Sequence, residues 1–172
     1  MNGAIEFKAP WSALLRRVSI LMCVVLVAFT IVAAFAWYAT GAHVTLVGVI
    51  IPVLVLTIAS LLMVKGYVLT NEEIVVKRLG WTTRLPLQGL LAVAGDNEAM
   101  RHSIKLFGSA GFLSYTGIFW NRKIGRYRAF ANDPSRSVVL SYKNRKIVIS
   151  PDDPQRFIVR VRTMLKNQGS GR

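Results

Sequence analysis

Between Arg17 and Lys65 the chain has no aspartate, glutamate, lysine or arginine. So long an uncharged and apolar interval excludes an ordinary water-facing surface there. Acidic residues are scarce everywhere, 8 against 22 lysines and arginines, which gives a formal charge of +14. The single cysteine, Cys23, rules out an intramolecular disulfide, so nothing points to an oxidising compartment. Only two histidines occur, and neither His43 nor His102 has a cysteine or carboxylate at metal-ligand spacing. Gly108-Ser109-Ala110-Gly111 lacks the Gly-x-Ser-x-Gly spacing of a nucleophile elbow, and no glycine-rich lysine loop for phosphates is present. Asp152 and Asp153 are adjacent, which suits helix capping better than paired acid-base work. No catalytic residue, metal or cofactor is therefore expected, and the chain reads as a non-enzyme.

What the interval does contain is two apolar runs, Val18 to Tyr38 and Val44 to Val64, each about twenty residues and so long enough to cross a ~30 Å hydrocarbon core as a helix. The short link 39–43 between them predicts a transmembrane helical hairpin that returns the chain to the side it left. Arg16-Arg17 ahead of small residues such as Ala34 and Ala36 has the look of an export signal, but the run is longer than a signal core and a second run follows at once. Retained helices are expected. Lys8, Arg16 and Arg17 precede the first run, Lys65, Lys77 and Arg78 follow the second, and the link has no lysine or arginine, so both termini are expected in the cytoplasm. Trp11 and Trp37-Tyr38 fall where interfacial aromatics belong, and Phe7, Trp11, Leu14 and Leu15 suggest an apolar side lying along the membrane surface. With no ionisable group at mid-depth, a proton relay or ion path is not expected. Small residues, among them Ala33 and Gly48, offer close helix packing, and Pro52 predicts a kink.

After Lys65 the pattern changes to short β-prone runs separated by turn residues. Strands are predicted at 67–70, 74–79, 82–87 and 90–94, a polar loop at 96–102, and a hairpin of 138–142 with 146–150 around Asn144. Ser150-Pro151-Asp152-Asp153 reads as the start of a last helix capped by Ser150, with Phe157, Val161 and Met164 or Leu165 on its buried face. The expected divisions are a cytoplasmic segment 1–17, the hairpin 18–64, a cytoplasmic domain 66–168 and a short tail 169–172.

Two spanning helices, about seven meandering strands and one closing helix resemble the bacterial membrane-anchored proteins with a pleckstrin-homology (PH) domain. The resemblance is carried by Tyr67-Val68-Leu69-Thr70 with Ile74-Val75-Val76-Lys77-Arg78, by Gly111-Phe112-Leu113-Ser114-Tyr115-Thr116-Gly117 with Gly125-Arg126-Tyr127-Arg128-Ala129-Phe130-Ala131, and by Ile149-Ser150-Pro151-Asp152-Asp153-Pro154 with Phe157. It covers about residues 66 to 166. The implied fold is membrane α+β: the hairpin, then a small PH-like antiparallel β-barrel or sandwich with one C-terminal helix. The implied role is a binding module, since this fold carries many unrelated binding functions.

Residues 105 to 130 interleave aromatic and basic side chains. The candidate binding residues are Lys105, Trp120, Arg122, Lys123, Arg126 and Arg128, on a hairpin whose tip, Asn121 to Gly125, is expected to reach the membrane and insert Trp120 or Ile124. Phe107, Tyr115 and Phe130 are expected in the core. Basic and aromatic residues together also suit nucleic acid, but a membrane tether argues against it. The leading expectation is a scaffold or accessory protein of the bacterial inner membrane that binds a protein partner, anionic lipid or a second copy of itself. The alternative is a subunit of a larger membrane complex, recruited through the hairpin and merely capped by the basic domain.

Overall fold

The computed structural model describes residues 4–41 and 44–169. The expected link histidine, His43, and tail residues 170–172 lie outside them. A short strand, β1 (Ile5–Lys8), leads into α1 (Ala13–Thr40) and α2 (Val44–Leu62). Nine strands follow: β2 (Val64–Leu69), β3 (Glu73–Arg78), β4 (Thr82–Pro86), β5 (Leu90–Gly95), β6 (Ile104–Phe112), β7 (Ser114–Asn121), β8 (Gly125–Ala131), β9 (Val138–Tyr142) and β10 (Lys146–Ile149). Helix α3 (Pro154–Gly169) closes the chain. The strands make two sheets, β1-β2-β3-β4 and β5-β9-β10-β8-β7-β6. The expected plain meander is corrected here, because β10 pairs with β9 antiparallel and with β8 parallel.

Alternation of apolar side chains in β2 and β3 turns Tyr67, Leu69, Ile74 and Val76 into a core shared with Phe130, Leu140, Ile147 and Ile149 of the other sheet. Tyr67 also ties the sheets through polar atoms: its hydroxyl donates to Phe130 O at 2.6 Å and accepts from Ser150 N at 3.0 Å. Burial pushes the Tyr67 phenol up to about 12. The cross-strand pair Gly108 and Gly117 shows why the long hairpin needs glycine, since a Cβ on Gly108 would lie 2.2 Å from Thr116 O and one on Gly117 2.0 Å from Phe107 O.

The N-terminal segment is not an interfacial amphipath. Ile5–Lys8 pairs antiparallel with β2 as an extra strand, and Phe7 is buried in the domain core edge-on to Phe157, with ring centroids 5.1 Å apart. Burying Phe7 there removes more apolar area from water than lying on a surface would. The last helix begins three residues later than expected. Asp153 caps it by accepting from Arg156 N, Pro154 takes the first turn, and Ser150 instead accepts from Asn132 N inside the domain. Phe157, Ile158 and Val161 are its buried face, against the shared core.

Helix α1, at 28 residues, is the one helix among the described residues long and apolar enough to cross a membrane. The second apolar run forms a shorter apolar helix, because the run that begins at Val44 gives up Met63 and Val64, with Val64 opening β2. The two helices pack closely at Gly48, where a Cβ would sit 2.9 Å from the Ala33 Cβ. Both are joined to the domain by hydrogen bonds. Ser12 N at the start of α1 donates to Asn132 O and Leu113 N to Ser19 Oγ, Gly80 N donates to Leu61 O of α2 and Leu79 N to Met63 O just beyond it, and Asn132 Nδ2 donates to both Ala9 O and Val64 O.

Candidate functional site

The two sheets part along a seam between β4 on one side and β7, β8 and β10 on the other. Strand alternation sets its lining. On β8, Tyr127 and Ala129 face a second apolar cluster, while Arg126, Arg128 and Phe130 share the opposite face and line up from rim to core. Arg84 of β4, Arg145 of the β9–β10 turn and Lys146 at the start of β10 border the same opening, a cleft of about 430 Å³. An adjoining cleft of about 360 Å³, which shares Ile118 and Arg128 with the first, is lined also by Arg78, Trp81, Phe107, Thr116 and the last residue of α2, Leu62. No carboxylate lines either space among the described residues. Glu73 comes no nearer than a 3.6 Å contact with Arg84.

Arg78 is the unusual member. It ends β3 opposite Val64, and its backbone N–H closes a tight turn on Trp81 O. The residue is only 7% exposed, its guanidinium lies over the rings of Trp81 and Phe130 at 5.4 and 4.5 Å, and its Nε and Nη2 have no hydrogen-bond partner among the described residues. Arg128 stacks on the same Phe130 ring at 4.9 Å. Burial first, and the charge of Arg128 second, hold the Arg78 guanidinium down at about 10. Two guanidinium forks, one of them buried, in a cleft without acidic groups among the described residues form an arrangement chemically suited to an anion.

The six residues expected from the sequence do not form one patch. Arg126 and Arg128 enter the seam. Trp120, Arg122 and Lys123 border a different cleft with Glu98, Arg101 and His102, and Lys105 is exposed on β6. Two of that cleft's three cations are paired, Lys123 with Asp96 at 2.7 Å and Arg101 with Glu98 at 2.7 Å. The Asn121–Gly125 turn does close the β7–β8 hairpin, but it is tied down. Asn121 Nδ2 donates to Ala99 O and Ser103 Oγ, and Ile124 packs on the second apolar cluster. The residues that meet α1, Leu113 and Asn132, belong to the other end of the hairpin. That is ~20 Å away at about 3.3 Å per strand residue. Of the aromatics assigned to the core, Phe130 is fully buried and Tyr115 partly so, whereas Phe107 is 75% exposed. Sequence reasoning missed Arg78, Arg84, Arg145 and Lys146 as partners because they come from three separate turns or strands. The one available signal was Arg78 itself, a charge placed where β3 alternation calls for a buried side chain.

Comparison with known proteins matches residues 65–164 to the family described as the bacterial PH domain. No curated protein and no solved structure matches the chain. The matched span holds both sheets from β2 onward, the seam and most of α3, more than half of the sequence. The chain belongs to the bacterial PH domain family.

Proposed function

We propose that this protein is a non-enzymatic, membrane-anchored binding module, a scaffold or accessory protein at the cytoplasmic face of the bacterial inner membrane. The observation that carries the reading is the union of an apolar helix pair with a basic domain. Most large side chains of α1 are exposed, Val24, Ile31 and Phe35 among them, as suits a lipid-facing surface. The same helix is hydrogen-bonded into the PH domain at Ser12 and Ser19, so anchor and binding module move as one body. In this reading α1 and α2 enter and leave the membrane from the cytoplasm, with α2 completed across the bilayer by tilt or local thinning. The domain then offers its basic seam to anionic lipid headgroups or to an acidic protein surface.

The alternative, recruitment through the hairpin alone, has less support, because the small-residue contact of Gly48 with Ala33 is used within the hairpin. Alkaline carbonate extraction of membranes containing the full chain tests the anchor. Retention in the pellet is expected. Topology is tested in a Cys23→Ser background, where His43→Cys should react with an impermeant thiol reagent from outside and Lys166→Cys should not. Release into the carbonate supernatant, or outside labelling at position 166, refutes the reading.

A further inference from the structure

We propose that the cleft at the α2 end of the seam, where Arg78 and Arg128 share the Phe130 ring, binds the phosphate of an anionic lipid headgroup. This assignment rests on the membrane-anchored reading above and goes further by naming the ligand and its residues.

Three independent features converge on it. The first is the buried guanidinium of Arg78, with Nε and Nη2 unpartnered among the described residues. An unpaired buried charge is strongly disfavoured. It is tolerated here because Trp81 and Phe130 hold the group by cation–π contact, which fixes its orientation and leaves its donors to a ligand. A phosphate accepts two parallel N–H bonds from such a fork.

The second is the company Arg78 keeps. Arg128, also stacked on Phe130, brings another positive charge to the cleft, and no acidic side chain lines it among the described residues. Two like charges close together favour an anion between them. Gly108 and Gly117 contribute bare backbone to the lining, since the two strands approach too closely there for any Cβ.

The third is position, which selects a lipid over a soluble anion. Leu62, the last residue of α2, borders the cleft, and the β3–β4 turn that carries Arg78 and Trp81 is bonded to the end of that helix through Leu79 N to Met63 O and Gly80 N to Leu61 O. The cleft therefore adjoins the level at which the hairpin leaves the membrane. Trp81, 47% exposed, and Phe107, 75% exposed, give it an apolar rim suited to a glycerol backbone beside a phosphate. A volume of about 360 Å³ accommodates a headgroup and leaves acyl chains outside.

The test uses the full chain purified in a neutral detergent, with labelled dioctanoyl phosphatidylglycerol as probe and dioctanoyl phosphatidylcholine and inorganic phosphate as competitors. Saturable binding of one phosphatidylglycerol per chain is expected, at least tenfold weaker in Arg78→Met and in Arg128→Gln. Arg122→Gln/Lys123→Gln should bind like wild type. Arg78→Lys, which keeps the charge without the fork, should fall between. If Arg78→Met fails to fold, Arg128→Gln decides alone, because Arg128 is exposed and its removal leaves the core intact. Unchanged affinity in folded Arg78→Met or in Arg128→Gln overturns the site. Displacement by inorganic phosphate at an affinity equal to that of the lipid overturns the lipid assignment. Carbonate extraction of the same membranes separates the two readings: a chain that stays in the pellet with unchanged lipid binding refutes the site alone, whereas a chain that is released refutes the anchor.

Discussion

Replacing Arg78 with methionine should leave the fold as stable as before or more so, the reverse of what removing a buried ion-pair member does. The guanidinium is displaced from an ordinary 12.5 to about 10, with burial the main cause. At ~1.4 kcal/mol per unit this is a penalty of about 3 kcal/mol against the charged form in the folded chain. The sign follows from linkage. For a base whose folded value is depressed, the penalty is complete below about pH 10 and is relieved as pH rises toward 12.5, so at neutral pH the protein carries all of it. Methionine keeps an apolar stem against Trp81 and Phe130 and loses the cation–π attraction, about 0.5–2 kcal/mol. The net change is a gain of about 1–2 kcal/mol, or several degrees in Tm at about 2–4 °C per kcal/mol for a chain of this size. Thermal melting of the two full-length proteins in neutral detergent, without anionic lipid, reads it directly. A fall of more than about 2 kcal/mol in Arg78→Met would refute the reasoning, because it would mean that the guanidinium has a structural partner inside the fold, whose removal typically costs about 3–5 kcal/mol.

Phe7→Ala should cost about 3–5 kcal/mol in thermal or denaturant melts, since Phe7 is 2% exposed and packs on Phe157. A fragment starting at residue 66 should for the same reason melt well below the full chain, having lost β1 and with it the edge pairing of β2. Tyr67→Phe should cost about 1–3 kcal/mol by leaving Phe130 O and Ser150 N without their buried partner. In wild type, the raised Tyr67 phenol contributes stability that is complete below pH 10 and is lost as pH rises through about 12; the phenylalanine variant should lack that alkaline decline, as pH-dependent melts will show. Gly117→Ala should prevent folding or lower Tm severely, because the new methyl would meet Phe107 O at 2.0 Å in a backbone of φ +149°. Normal expression and melting of that variant would contradict the observed β6–β7 register.

Periodicity and turn chemistry made much of the fold legible. The alternation in Tyr67 to Leu69 and Ile74 to Arg78, the Asn144 turn, and the Phe157 and Val161 face of the last helix are local patterns, and each appears close to where it was expected. Two local inferences failed for tertiary reasons. Phe7 has the neighbours of an interfacial anchor but finds a better burial partner in Phe157, 150 positions along the chain. Ser150 stands where a cap is wanted, yet its hydroxyl accepts from Asn132 N inside the domain, and Asp153 caps the helix instead.

The candidate site divides the same way. The charge excess, the uncharged interval and the strand pattern belong to composition and short-range order, and those alone determined an apolar N-terminal helix followed by a basic PH-like domain. Which basic residues act together was decided only by tertiary structure. Arg122 and Arg126 are four apart in the chain but border different clefts, because Arg122 lies in the Asn121–Gly125 turn and Arg126 follows it on β8. Arg78 and Arg128 are fifty apart and meet on one aromatic ring. Charge is a property of residues, whereas an unpaired charge held in a desolvated cleft is a property of what surrounds it, and strand pairing and sheet packing supply those surroundings.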